Sequence, residues 1–178
     1  MIAVGEKFFS RNIHLRLVTL EDVNERYLGW MQDETVNKFM ETRHRKHEIV
    51  DIKNFVRQVS ENKTEFLFAI CDNKTGSHIG NIKLGPVKPY HSIADVSLFI
   101  GEECCRGRGY ATEAIKLVSS IATNRLGLTK LAASAYEINK GSIKSFQNAG
   151  FEIEGHRIKH YLLDGVPSNL VELGLVLE

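Results

Sequence analysis

An apolar strand, a glycine-rich turn and a long apolar helix follow one another between residues 93 and 122. Ile93-Ala94-Asp95-Val96-Ser97-Leu98-Phe99-Ile100 has the branched and aromatic content of a strand. Arg106-Gly107-Arg108-Gly109 supplies the turn, and Ala114, Ile115, Leu117, Val118, Ile121 and Ala122 then recur at helical spacing. A strand feeding an apolar helix in this way points to an α/β layer, with the helix laid on the sheet.

The same join carries chemistry. The start of a helix presents unpaired backbone N–H groups and partial positive charge, so it attracts a phosphate. Glycines let the backbone curl tightly and approach the anion with no Cβ in the way. Arg106 and Arg108 add charge, and Thr112 adds a hydroxyl in the first turn. Other phosphate motifs fit poorly: there is no Gly-Lys-Ser/Thr ending, and the glycine spacing is not Gly-x-Gly-x-x-Gly.

Around this centre, Ile13 to Leu17 alternates like a half-buried strand, and Thr19-Leu20-Glu21-Asp22 reads as a cap for the helix that follows. That helix places Val23, Tyr27, Trp30 and Met31 on one side. Short and longer helices are expected over 35–40 and 47–61. A hairpin follows, with strands at 66–70 and 78–84 around the Asp72 to Gly76 turn. Strand 130–136, helix 141–148 stopped at Gly150, and strands 151–162 and 168–177 around Asp164-Gly165 complete the chain. No internal repeat or linker interrupts the order, which argues one α/β domain with a mixed, mostly antiparallel sheet.

Composition excludes several function classes. With 23 Lys and Arg against 22 Asp and Glu in 178 residues, there is no electrostatic case for a nucleic-acid groove or an anionic membrane. Neither a signal peptide nor a long apolar run is visible, so the expected compartment is the cytoplasm. Cys71, Cys104 and Cys105 lack the spacing of a metal knuckle and read as reduced thiols, so no metal is expected. The run Arg43-His44-Arg45-Lys46-His47 is a local basic patch.

The stretch Ala94 to Ile100, followed by Arg106-Gly107-Arg108-Gly109-Tyr110-Ala111-Thr112-Glu113-Ala114, resembles the signature of the GNAT superfamily. The block Asn139-Lys140-Gly141-Ser142-Ile143-Lys144-Ser145-Phe146-Gln147-Asn148-Ala149-Gly150-Phe151 is similar to its second motif, an Asn leading a helix that ends in Gly-Phe. These matches span residues 13–178, with 1–12 as a lead-in, and look closest to the ribosomal-protein N-terminal acetyltransferase branch.

The resemblance implies a splayed sheet with acetyl-CoA lying in the opening. Backbone groups of Leu98, Phe99 and Ile100 would pair with the pantetheine arm, amides of Arg106 to Ala111 and the Thr112 region would wrap the pyrophosphate, and Asn139 and Phe146 would lie beside the cofactor. The implied reaction moves an acetyl group to a primary amine, on a protein N-terminus or an amino sugar, by direct attack in a ternary complex. Polyamine and drug acceptors stand behind these two. A homodimer is common among such enzymes.

Attack on a thioester needs a route for the amine proton and a donor for the leaving thiolate. Asp95 stands at the position of the strand carboxylate that receives the proton in many relatives, though burial is required to suit it for that work. The customary tyrosine donor is replaced by Phe146, leaving Ser142 and Ser145 as candidate hydroxyls. Loss of that tyrosine also keeps open a non-catalytic acyl-CoA-binding protein of the same fold.

Overall fold

The computed structural model describes residues 2–178. Its strands are β1 (Lys7–Phe9), β2 (Ile13–Leu17), β3 (Phe66–Asp72), β4 (His78–Lys88), β5 (Ile93–Ile100), β6 (Lys130–Tyr136), β7 (Glu152–Leu163) and β8 (Val166–Val176). The helices are α1 (Glu25–Gln32), α2 (Glu34–Asn37), α3 (Ile49–Glu61), α4 (Tyr110–Leu126) and α5 (Lys140–Asn148). The strands form one sheet in the order β1-β2-β3-β4-β5-β6-β8-β7, antiparallel throughout except where β5 meets β6. The lead-in therefore contributes the edge strand β1.

Period-two alternation sends successive side chains to opposite faces of a strand. Strand β3 divides in this way: Phe68 and Ile70 join the core beneath α4 and α5, whereas Leu67, Ala69 and Cys71 join the core beneath α1 and α3. Both faces of the sheet are thus covered, as the apolar run of β3 requires. The α4 core is the larger and includes Ala114, Ile115, Val118, Ile121 and Ala122, the stripe expected from spacing.

Some boundaries moved for local reasons. Thr19 and Asp22 do form a reciprocal cap, but it closes only the short turn Leu20–Asp22. Helix α1 starts later because Asn24 provides its own cap, accepting from the amides of Arg26 and Tyr27. Val23 lies before the helix and is still buried beside Tyr27, Trp30 and Met31.

Candidate active site

Strands β5 and β6 are paired only at Ile93↔Lys130, Ala94↔Leu131 and Asp95↔Ala132. Beyond Asp95 the two strands separate, while β5 stays paired to β4 as far as Ile100↔Gly80. The opening has one polar wall, the unpaired edge of β5. Gly101 N–H donates to Ile79 C=O across the β4 side, so by antiparallel alternation Leu98 and Ile100 point their backbone groups into the opening. Phe99 turns its backbone toward β4, and its side chain packs among Tyr27 and Trp30. Phe99 thus shapes the wall through its ring and offers no free backbone edge.

The end of β5 is held firmly. The Trp30 ring lies against Gly101 so closely that a Cβ there would sit 2.2 Å from it, and the indole N–H donates to Glu102 at 3.2 Å. Arg106 turns inward: its Nε donates to Ile100 C=O at 3.2 Å and its Nη2 to Gly101 C=O at 3.0 Å. Its Nη1 reaches the Thr35 hydroxyl at 3.0 Å, and Asp33 lies 3.9 Å away. Arg106 therefore ties the cofactor-side turn to α2, and the charge expected of it toward phosphate is spent on carbonyls. Arg108 is exposed and makes no ion pair among the described residues, so it carries the uncompensated charge of the turn.

Gly107 and Gly109 have φ of 71° and 82°, the left-handed region that side chains disfavour, and the space above both is open. The amides of Gly107, Arg108, Gly109, Tyr110, Ala111 and Thr112 have no hydrogen-bond partner among the described residues. Six adjacent donors at the start of a 17-residue helix make a cradle that would suit a diphosphate. Tyr110 anchors the cradle by donating its hydroxyl to Asp72 at 3.1 Å, and that bond raises the Tyr110 pKa. Glu113 accepts from Asn12 on the β1–β2 side. The residues present thus fit a CoA-like ligand, with diphosphate on the cradle and amide groups along Leu98 and the N–H of Ile100.

The second motif is placed differently from expectation in three respects. Asn139 caps α5 by accepting from Ser142 N–H at 3.2 Å, so its side-chain oxygen is engaged by the helix and its NH2 is without a partner among the described residues. The Ser145 hydroxyl donates to Gly141 C=O at 2.9 Å, and Thr112 donates to Ser145 C=O, so both hydroxyls hold helices. Phe146 lies in the core at 2% exposure with its ring against Phe151, a packing role in place of the expected cofactor contact. Ser142 keeps a hydroxyl with no hydrogen bond to any described residue.

Asp95 lies just before the strands part. Its side chain is 47% exposed and 3.9 Å from Lys88 Nζ, so it lacks the burial the proton-acceptor role called for.

Across the opening, Ala132, Ser134 and Tyr136 of β6 face away from the α4 core. The Tyr136 hydroxyl donates to Glu41 at 2.6 Å and accepts from Arg43 at 3.1 Å. Burial first, then the Glu41 carboxylate, pushes the Tyr136 pKa up and keeps the phenol protonated. Arg43 also donates to Leu162 C=O at 2.9 Å, and Phe39 and Tyr161 flank the Tyr136 ring. Burial works to lower the Arg43 pKa, and Tyr136 with Glu41 outweighs it in the upward direction. Sequence reading singled out neither Tyr136 nor Glu41. The available signal was a tyrosine closing a strand three residues before Asn139.

Residues 12–152 match the acetyltransferase (GNAT) domain family. The chain belongs to that family. Spermidine N(1)-acetyltransferase of Escherichia coli K12 is 25% identical over 125 residues, covering 70% of this GNAT chain and 65% of the relative. Human alpha/beta-tubulin-N-acetyltransferase 9 is 38% identical over 61 residues, covering 34% and 30%. The GNAT chain therefore spans 65% of the length of the first of these relatives and 30% of the second. Among solved structures, the spermidine N-acetyltransferase of Vibrio cholerae in complex with CoA and spermine superposes with a TM-score of 0.83. That likeness covers 93% of this chain and 96% of the other at 16% identity, and concerns the fold. These relatives support the family, and do not single out its ribosomal-protein branch. Among the described residues, no helix of this GNAT chain is long and apolar enough to cross a membrane, and no metal-binding cluster occurs.

Proposed function

We propose that this chain transfers the acetyl group of acetyl-CoA to a primary amine of a small molecule, with a polyamine as the acceptor class. The carrying observation is the opening between β5 and β6, which has an unpaired strand edge on one wall and six unpartnered amides at its end. The polyamine assignment is supported by relatives named as spermidine acetyltransferases, ahead of a protein N-terminus or an amino sugar.

Acetyl-CoA supplies the thioester whose acyl carbon accepts the amine. In this reading Leu98 and Ile100 hold the pantetheine arm straight and the cradle fixes the diphosphate, so the acyl group is presented at the mouth of the opening. The acceptor enters from the face bearing Tyr136 and Glu41. Ser142, whose hydroxyl no described residue engages, is the candidate donor to the departing thiolate; Ser145 is not, because its hydroxyl is committed to the helix.

The test is an acceptor screen with acetyl-CoA, comparing spermidine with N-terminal peptides and amino-sugar nucleotides. Acetylspermidine formed with saturation in both substrates is the expected result. Saturable acetyl-CoA binding without transfer to any amine would replace this reading with that of a non-catalytic CoA-binding protein.

A further inference from the structure

A pocket of about 700 Å³ lies between α2 and the segment leading into α3. Lys38, Arg43, Arg45 and Lys46 line it as full cations, against the carboxylates of Glu34 and Asp164. Among the described residues, Lys38, Arg45 and Lys46 have no ion-pair partner. Arg43 is paired only with Glu41, which lies outside this pocket.

Arg43 fixes one side of the pocket. Its side chain is 8% exposed, and four of its contacts are made by the two terminal nitrogens. Its Nε–H is buried and has no acceptor. That nitrogen is sealed from the pocket, so Arg43 contributes there as a fixed charge, and the three cations without ion-pair partners beside it leave a concentrated positive field that favours an anion.

We propose that this pocket is an anion site that takes a phosphate or carboxylate group. The guanidinium of Arg43 provides a fixed charge, and Lys38, Arg45 and Lys46 supply charge and donors from flexible stems. Two sources present the same chemistry: a free anion, or the anionic end of an amine acceptor that is not a polyamine, which would replace the polyamine assignment while keeping the acetyl transfer. Through the bonds from Arg43 to Tyr136 and Leu162, an occupied pocket would also brace the wall beside which the acceptor enters. The anion site stands on geometry alone, and only the choice of source rests on the acetyl-transfer reading.

The experiment measures inorganic phosphate binding by calorimetry with the cradle saturated by CoA, in the natural chain and in the Arg45→Gln/Lys46→Gln double variant. Both side chains are exposed, and matched melting temperatures confirm that the variant is folded. Millimolar or tighter binding, weakened at least about tenfold in the variant, is expected. No binding, or equal binding in the two proteins, overturns the site.

Matched acceptors then separate the sources. A kcat/KM higher for 4-aminobutyl phosphate than for 4-aminobutanol, with the advantage lost in the variant, assigns the pocket to the acceptor's tail. Equal values alongside variant-sensitive phosphate binding assign it to a free anion. If neither amine nor spermidine is acetylated, the proposed function fails while the phosphate measurement still decides the site.

Discussion

The two sides of the opening are built from different materials. On the proposed cofactor side the unpartnered groups are backbone: the edge of β5 at Leu98 and Ile100, and the amides of residues 107–112. On the proposed acceptor side they are side chains, with Glu41, Arg43 and Tyr136 brought together from the α2–α3 segment and the end of β6. Backbone groups are placed by the fold itself and tolerate many side chains. A side-chain cluster can be rewritten by a few substitutions without disturbing the fold, which lets one fold serve many acceptors.

Substitutions that separate the two sides put this contrast at risk. Gly109→Val places a branched side chain at φ 82° over the cradle. The account expects acetyl-CoA affinity to fall by about a hundredfold or more, with a stability cost of about 1–3 kcal/mol, read by calorimetry and thermal melting. Arg106→Ala tests whether that arginine is a brace. It leaves the Ile100 and Gly101 carbonyls without their donor and frees α2, so a stability loss of about 1–3 kcal/mol is expected, whereas Arg108→Ala raises the acetyl-CoA KM with no change in melting temperature.

Phe146→Tyr restores the family's customary hydroxyl, but in a core position. It should cost about 1–3 kcal/mol and leave kcat no higher, measured by denaturant melts and steady-state rates. Tyr136→Phe removes a hydroxyl from the acceptor wall alone. The acceptor KM should rise about three- to tenfold while acetyl-CoA binding is unchanged; an equal effect on both ligands would erase the distinction between the two sides. Smallest of all is Asp95→Asn, for which transfer rates from about pH 6 to about pH 9 should stay within about twofold, since the carboxylate is half exposed and lies near Lys88.

The same division explains what could be read in the sequence. Strand 93–100, the glycine turn and the α4 stripe are contiguous, and periodicity with turn chemistry located each to within a residue or two. The role of Arg106 could not be read that way, because an arginine beside a phosphate turn looks alike whether it faces the ligand or folds back onto carbonyls. Asp95 matched a family position, but its exposure depends on where β5 and β6 part, a tertiary property. Tyr136 and Glu41 are 95 positions apart, and no local pattern joins them. The basic run 43–47 was plain as composition, yet the burial of Arg43 among uncompensated cations needed the fold.

Amide hydrogen exchange with and without CoA tests the central claim most directly, since it reads the backbone groups proposed to hold the cofactor. The account predicts that CoA slows exchange at Leu98, Ile100 and residues 107–112, while Phe99, already turned toward β4, is little changed. Protection absent from these positions, or confined to side-chain-lined surfaces elsewhere, would contradict it.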